Sequence, residues 1–315
     1  MAEDTPRWKD AKHEASIENA WFIPEFIELA IKQICQRFLQ KSALDAMVAN
    51  YQLPISQADP KTVGIVMAGN IPLVGFHDFL CGFLSGHRLL IKPSSKDTAL
   101  IHHLIEQLKE WEPETTKWIA ETDQLKGADA YIATGSNNTG RYFDYYFAKY
   151  PHIIRRNRTS AAVLTGQETP EELALLADDL MLYFGLGCRN VSMLLVPPGY
   201  NFDPLLTQLD RYSWMNSHFK YKNNYDYQLS LLLLNQTPYL TNGTVLFCRH
   251  VQLFSPISLY HYNYYEPQDD IKQLLPPEDL QCLVGRQFTP FGQAQCPNLA
   301  DFADGVDTMA FFAGL

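Results

Sequence analysis

A chain of 315 residues, 46% of them hydrophobic and 19% charged, is long enough to bury a large core, which predicts a globular protein with two domains. Its net charge of -10, with no basic block to offset it, argues against a dedicated nucleic-acid-binding protein. No apolar run approaches the roughly 18 to 20 residues that cross a bilayer, so we expect no membrane-spanning helix.

The start of the chain and its cysteines predict a cytoplasmic protein. Residues 1–21 have neither a basic beginning nor an apolar core, so they do not read as a secretory signal. The histidines show no metal-ligand spacing, and we expect no metal site. The cysteines lie far apart with no CxxC pair, which argues against a zinc ribbon or a disulfide framework. They are Cys35, Cys81, Cys188, Cys248, Cys282 and Cys296.

The first half of the chain predicts helices and then strands that alternate with helices. Residues 18–50 carry apolar side chains at helical spacing. Strands are predicted at 61–70, 87–93 and 128–136, and helices at 71–86, 96–112 and 137–150. Gly86 is expected to end the helix at 71–86, and Asp97 or Ser95 to lie near the start of the next helix. This alternation indicates βαβ units and a mostly parallel sheet.

A second unit of the same kind is predicted in the second half. It consists of a strand at 160–166, a helix at 169–185 and a strand at 191–197. Beyond residue 225 the sequence is rich in Tyr, Leu and Asn and predicts strands at 243–250 and 257–265. No flexible linker separates the halves, so the change at 150–160 indicates a change of unit.

Three loops follow predicted strands of the first unit, and the carboxyl ends of strands are where open α/β sheets bind ligands. The first loop carries Asn70. The second carries Lys92, Ser94 and Ser95. The third, TGSNNTG, carries Gly135, Ser136 and Thr139 and opens a helix, whose free N–H groups suit a phosphate.

Cys188 stands on a glycine-flanked turn, in YFGLGCRNVSMLLVP. A buried structural cysteine needs no glycines, whereas a nucleophilic thiol must stand clear of its backbone with donors close by. Two structural alternatives stay open: Cys188 as a core thiol and Asn70 as a turn-capping side chain.

The order and spacing of these segments resemble the aldehyde dehydrogenase superfamily, and more closely its acyl-CoA reductase branch, the LuxC-type fatty acyl reductases. The matching segments cover roughly residues 18–315. They are GIVMAGNIPLVGFHDFL, LLIKPSSKD, YIATGSNNTGRYFDYYF, SAAVLTG, YFGLGCRNVSMLLVP, LFSPISLYHYNYY and the tail from residue 288. The resemblance implies an aldehyde-dehydrogenase-like α/β fold with two Rossmann-like domains and mostly parallel sheets.

The resemblance also implies roles for individual residues. Cys188 falls at the position of the catalytic thiol, and Asn70 at that of the amide that forms the oxyanion hole with the cysteine N–H. Gly135 and Ser136 fall where the cofactor pyrophosphate meets a helix, and Lys92 where a lysine meets the adenosine ribose. NAD-preferring relatives carry a glutamate where this chain has Ser95, which accepts a 2′-phosphate better, so NADPH is the expected cofactor.

The sequence departs from the oxidising aldehyde dehydrogenases at two positions, and the first departure favours reduction. Their glutamate, which activates water for deacylation, falls in RNRTSAAVL (156–164), where this chain has no carboxylate. A reductase that starts from a thioester needs no hydrolytic water. The glutamate that meets the nicotinamide ribose is also missing, and Gln252 is the nearest candidate.

We therefore predict NADPH-dependent reduction of a fatty acyl thioester, an acyl-CoA or an acyl-carrier protein, to an aldehyde through an acyl-enzyme on Cys188. Two alternatives stay open: a catalytically silent accessory subunit of a fatty-acyl assembly, and an acylating aldehyde dehydrogenase that runs towards acyl-CoA. The cofactor-binding domain is predicted at 1–158, the catalytic domain at 159–266, and a segment returning to the first domain at 267–315. A homo-oligomer is compatible with the resemblance.

Overall fold

The computed structural model describes residues 5–54 and 56–315, which form two compact α/β units with mostly parallel sheets. The first unit contains the described residues up to Asn157 together with Pro297–Leu315, and the second is Arg158–Cys296. This architecture confirms the predicted fold class. Within the described residues, no helix is both long enough and apolar enough to cross a membrane.

The first unit is built on a five-stranded parallel sheet. Its strands are β1 (Thr62–Val66), β2 (Arg88–Lys92), β3 (Ile119–Glu121), β4 (Ala130–Thr134) and β5 (His152–Arg155). They lie in the order β3-β2-β1-β4-β5, and every pairing is parallel. The chain winds outwards from β1 to one side and from β4 to the other, so the switch point of the topology lies between these two strands.

The second unit is built on a six-stranded sheet. Its strands are β6 (Thr159–Val163), β7 (Val191–Val196), β8 (Tyr239–Thr241), β9 (Leu246–Arg249), β10 (Leu259–Tyr264) and β11 (Leu280–Val284). Their order is β11-β6-β7-β10-β9-β8, and only the edge strand β8 runs antiparallel to its neighbour. Every residue of β6 and β7 is buried, as expected for central parallel strands covered on both faces.

Ten α-helices accompany these sheets in the described residues. They are α1 (Pro6–Glu18), α2 (Pro24–Gln33), α3 (Lys41–Asn50), α4 (Phe76–Ser85), α5 (Ala99–Trp111), α6 (Asn137–Phe147), α7 (Pro170–Met181), α8 (Asp203–Leu209), α9 (Phe219–Leu234) and α10 (Thr308–Ala313). The sequence fixes several of their ends locally. Thr169 and Glu172 form a capping box at the start of α7, and Gly86 ends α4 in the left-handed conformation, as predicted.

The core of the first unit explains why the end of the chain belongs to it. Ile65 of β1 and Ile91 of β2 are buried in one cluster with Met309 and Phe312 of α10. The His87 Nε2 lies at hydrogen-bond distance, 3.0 Å, from the Phe312 carbonyl oxygen. Burial of about 1.5–3 kcal/mol per large apolar side chain makes this C-terminal helix part of the fold.

The second unit extends further along the chain than its predicted range of 159–266. β11 pairs in parallel with β6, with Leu280 opposite Thr159 and Val284 opposite Ala162. The segment that rejoins the first unit therefore begins at Pro297, not at residue 267. This pairing joins residues that are more than 100 positions apart, so no local pattern indicates it.

Four predicted helices are shorter than expected, those at 71–86, 96–112, 137–150 and 169–185. The helix predicted at 71–86 begins at Phe76, because the residues before it form turns and Leu73 takes a φ of +55°. The helix predicted at 169–185 ends at Met181, because Tyr183 and Phe184 adopt left-handed conformations. Asp97 lies near the start of α5 as expected, since the helix begins at Ala99, although it is Glu18 that accepts the Thr98 and Ala99 N–H groups.

Candidate active site

The three predicted loops of the first unit lie at one edge of its sheet. Val66, Lys92 and Thr134 are the last residues of β1, β2 and β4, which are parallel neighbours. The loops that follow them carry Asn70, Ser94 and Ser95, and Gly135 with Ser136. Two of these loops, those after β1 and β4, flank the topological switch point, where open α/β sheets bind ligands.

The loops after β1 and β2 touch one another. A Cβ atom built on Gly69 would lie 2.6 Å from the Ser94 Oγ and 2.9 Å from its Cβ, so only glycine allows this approach. The Asn19 side chain joins both loops, since its Nδ2 donates to the Gly69 and Lys96 carbonyls at 3.3 and 3.2 Å. Asn70 and Ser95 are exposed at this edge, and Lys92 is half-buried.

The loop after β4 forms the start of α6. Ser136 is the N-cap, and its Oγ accepts the Thr139 N–H at 3.2 Å and lies 3.0 Å from the Thr139 hydroxyl. A Cβ on Gly135 would meet the Thr139 and Phe143 side chains at 3.1 Å, which is tighter than an ordinary contact. Glycine therefore lets β4 turn directly into the helix, whose first N–H groups end at this edge of the sheet.

Cys188 lies in the second unit, just before β7. It is therefore at the amino-terminal edge of its sheet, whereas the three loops of the first unit lie at the carboxyl edge of theirs. The loop that carries Cys188 leaves α7 through three residues with positive φ: Tyr183 (54°), Phe184 (55°) and Gly185 (75°). For aromatic residues this conformation is strained and persists only where the surroundings impose it. Both aromatic side chains are buried, and Cys188 itself is half-buried.

Asn190 holds this loop in place, and the sequence analysis missed it. Its Oδ1 accepts the Gly187 N–H at 2.8 Å, and its Nδ2 donates to the Asp179 and Leu182 carbonyls at 3.0 and 2.9 Å. The side chain is 1% exposed. One buried amide thus joins the end of α7 to the turn before Cys188. An asparagine within a glycine turn is a signal of such a role, but its partners are visible only in the structure.

Ser160 of β6 fixes the backbone of Cys188 from the other side. Its Oγ donates to the Cys188 carbonyl at 3.1 Å and lies 3.1 Å from the Cys282 Sγ. Ser160 is fully buried within the stretch 156–164. This contact orients the turn that bears the thiol, and it places a hydroxyl and a second thiol, not a carboxylate, beside the Cys188 backbone.

The histidine pair His102–His103 diverges, as expected for adjacent residues of one helix. The His103 ring stacks on Trp8 at 4.8 Å, whereas the His102 Nδ1 lies 2.7 Å from a Glu121 carboxylate oxygen. Glu106, one turn along α5, brings its carboxylate within 4.8 Å of both groups. The sequence analysis considered histidine spacing alone and did not find this exposed cluster.

The two units resemble known proteins in their fold and not in their sequence. No protein-family model and no curated protein matches the sequence. Many solved structures resemble the fold, among them three at 11 to 13% sequence identity. An NAD-dependent aldehyde dehydrogenase from Sinorhizobium meliloti matches with a TM-score of 0.57 at 13% identity, over 71% of this chain and 54% of that one.

The other two structures match a larger share of the chain. Aldehyde dehydrogenase 21 from Physcomitrella patens, in complex with the reaction product succinate, gives a TM-score of 0.61 at 11% identity, over 89% of this chain and 70% of that one. A Mycobacterium tuberculosis aldehyde dehydrogenase complexed with NAD+ gives a TM-score of 0.56 at 12% identity, over 89% of this chain and 73% of that one. The chain has an aldehyde-dehydrogenase-like fold.

This fold is the one that the resemblance seen in the sequence implies. The chain spans about half of the length of the Sinorhizobium enzyme and 70 to 73% of the other two. At these identities the likeness concerns the aldehyde-dehydrogenase-like fold alone. The chemistry of this chain has to be argued from its own residues.

Proposed function

We propose that this protein reduces a fatty acyl thioester, delivered by coenzyme A or by an acyl-carrier protein, to an aldehyde with NADPH. The observation that carries the proposal is a half-buried thiol on a constrained turn of an aldehyde-dehydrogenase-like fold, with no carboxylate in residues 156–164. A thiol held this way can accept an acyl group, and an acyl-enzyme without a hydrolytic base beside it survives until it is reduced.

In the first step, the Cys188 thiolate attacks the thioester carbonyl. A new sulfur–carbon bond forms, the bond from carbon to the carrier sulfur breaks, and the carrier leaves as a thiol after taking up a proton. The tetrahedral oxyanion needs donors fixed in advance, and we assign this role to the Cys188 N–H and the Asn70 amide. Each such donor contributes about 3–4 kcal/mol in comparable sites.

The fixed backbone around Cys188 supports that assignment. Asn190 bonds the N–H of Gly187, directly before the cysteine, and Ser160 bonds the cysteine carbonyl. Because hydrogen bonds hold the backbone on both sides of the Cys188 N–H group, the direction of this donor is fixed. Preorganised donors of this kind cost no reorganisation when charge develops on the substrate oxygen.

The residues at the carboxyl edge of the first sheet fit a dinucleotide. Gly135 and Ser136 open α6 directly after β4, which offers backbone N–H groups and a positive helix end to a pyrophosphate. Lys92 ends β2, which lies on the other side of β1 from β4, and the exposed Ser95 can accept a 2′-phosphate without charge repulsion. When bound, NADPH would supply the hydride.

The test is the intact mass of the protein after incubation with a long-chain acyl-CoA and, separately, with an acyl-carrier protein charged with the same chain. Wild type should gain one acyl group from at least one donor. Cys188→Ala should gain none, whereas Cys35→Ala, which removes a half-buried thiol of the first unit, should behave as wild type. Addition of NADPH should remove the adduct and release aldehyde, more rapidly than NADH does.

Other outcomes favour the two alternatives or end the proposal. An adduct that NADPH leaves in place would indicate an accessory subunit that carries acyl groups. Acyl-CoA production from aldehyde, coenzyme A and oxidised cofactor, faster than the reverse reaction, would indicate an acylating aldehyde dehydrogenase. If no donor acylates the protein, Cys188 is a structural thiol and the proposal is wrong.

A further inference from the structure

The loop that carries Asn70 has little regular structure of its own. It runs from the end of β1 to the start of α4 at Phe76, and Leu73 within it has a φ of +55°, a strained conformation for leucine. A side-chain amide can act as a fixed oxyanion donor only if such a loop is held still. The side chains that hold it come from the end of α1 and from the loop after β2.

Asn19 is the first of these side chains. It lies just after α1, is 4% exposed, and donates from Nδ2 to both Gly69 and Lys96 carbonyls. Its Oδ1 accepts the Trp21 N–H at 3.1 Å, which fixes the orientation of the amide. Gly69 directly precedes Asn70, so the bond from Asn19 to the Gly69 carbonyl holds the peptide group that joins these two residues.

Asp97 is the second, and its situation is unusual for a carboxylate. It is 5% exposed, its Oδ2 accepts the Leu73 N–H at 2.7 Å, and its Oδ1 has no hydrogen-bond partner among residues 5–54 and 56–315. Burying a carboxylate with an unsatisfied oxygen is costly. Burial, together with the nearby charge of Glu18, raises the pKa of Asp97 to about 7, although the Leu73 N–H acts in the opposite direction.

A capping role for α5 does not account for Asp97. The first N–H groups of that helix, on Thr98 and Ala99, are bonded by the Glu18 carboxylate instead. The one side-chain hydrogen bond described for Asp97 goes to the loop of Asn70. A carboxylate that is buried at a cost in free energy and caps no helix is typical of a functional site.

We propose that Asp97, supported by Asn19, is a positioning residue that holds the Asn70 loop in its active conformation. The proposal rests on the function proposed above for its catalytic consequence, because Asn70 is assigned there as an oxyanion donor. Its structural part, that the Asp97 carboxylate restrains the loop at Leu73, stands on the contacts alone.

The structural part is tested by hydrogen exchange on the full chain, with Asp97→Ala, Asp97→Asn and Asp129→Ala. Asp129 is a matched control, because its Oδ2 accepts the Thr62 N–H at 2.8 Å at the other end of β1. Asp97→Ala should speed exchange at the Leu73 amide at least tenfold. Asp97→Asn keeps an acceptor oxygen and should restore most of the protection, and Asp129→Ala should leave residues 67–75 unchanged.

The catalytic part is tested by the rate of Cys188 acylation in a single turnover. Asp97→Ala should lower the maximal rate about tenfold or more while the half-saturating thioester concentration changes little, and Asp97→Asn should recover it. A general loss of structure would not be rescued by asparagine in both assays.

The outcomes separate this inference from the proposed function. Unchanged exchange at Leu73 in Asp97→Ala overturns the inference whether or not the protein is acylated. Faster exchange with an unchanged acylation rate overturns the catalytic role of the restraint. Faster exchange in a protein whose wild type is never acylated keeps the restraint and rejects the reductase function.

Discussion

At the scale of single residues, the most consequential side chain of the second unit is Asn190, which the sequence analysis did not single out. Cys188 is the proposed nucleophile, but its turn is shaped by the buried Asn190 amide two positions later. A nucleophile needs both a reactive atom and a backbone that keeps it in one place. The two requirements fall here on different residues.

We predict that Asn190→Ala destabilises the protein by about 3 kcal/mol in urea unfolding, because it leaves the Gly187 N–H and buried carbonyls without partners. Asn201→Ala is the control. Asn201 is exposed and accepts a single N–H, from Asp203, so its loss should cost about 1 kcal/mol or less. Equal effects of the two substitutions would mean that the Asn190 bonds are replaced after mutation.

At the scale of secondary-structure elements, the parallel sheet of the first unit brings the three predicted loops to one edge. The alternation of strands and helices was sufficient to predict this, because the carboxyl ends of parallel strands coincide. The direct contact between the β1 and β2 loops was not predictable. It depends on the conformation of Gly69 and Ser94 in their turns, which no periodic pattern records.

We predict that Gly69→Ala destabilises the first unit by about 1–3 kcal/mol, because the new methyl group would lie within 2.9 Å of both the Ser94 Oγ and its Cβ. In the double variant Gly69→Ala/Ser94→Gly the clash with the Ser94 side chain is removed, and the 3.1 Å contact with the Lys96 Cβ remains. The two effects on the free energy of unfolding should then differ from additivity by about 1 kcal/mol. Strict additivity would show that the loops separate freely and that their contact is incidental.

At the scale of the whole molecule, the C-terminal segment returns to the first unit and is hydrogen-bonded there to Arg155, which also forms a buried ion pair. Arg155, at the end of β5, bonds Asp78 of α4 at 2.8 and 3.1 Å and the Thr308 hydroxyl and Ala303 carbonyl at 2.7 Å. Burial alone would raise the pKa of Asp78, but the Arg155 guanidinium holds it below its ordinary value.

We predict that Arg155→Ala costs about 3–5 kcal/mol of stability, because it leaves the Asp78 carboxylate buried without its partner. Arg156→Ala is the matched control one residue away. Its ion pair with Asp144 is exposed and should contribute about 1 kcal/mol or less. Comparable losses in chemical unfolding would contradict the role given to the buried pair.

The second unit also contains a buried carboxylate whose titration should appear in its stability. Asp179 is 1% exposed, and burial raises its pKa to about 7, although it accepts the Gly292 and Ala294 N–H groups. Between about pH 4 and pH 7 the folded chain holds a proton that the unfolded chain releases. The free energy of unfolding therefore falls as the pH rises through this range.

We predict that this group contributes a slope of up to about 1.4 kcal/mol per pH unit, and that Asp179→Asn removes it. Urea unfolding of both proteins at several values between pH 4.5 and 7.5 measures the difference. Asp226→Asn, which alters an exposed carboxylate of the same unit, should keep the wild-type slope. Asp97, whose pKa burial also raises to about 7, keeps its own contribution, so only an undiminished wild-type slope in Asp179→Asn would assign the proton to another group.

The sequence by itself determined the α/β class and the parallel sheets, and together with the family resemblance it predicts the two residues on which the proposal depends, Cys188 and Asn70. These features follow from patterns that are local in the chain: strand and helix periodicities, glycine turns and the order of motifs. Only the tertiary structure decided that β11 joins β6, that α7 stops before Tyr183, and that Asn190, Asn19 and Asp97 hold the loops. Such contacts join residues far apart in the chain or depend on backbone conformations that packing imposes, so no local pattern contains them.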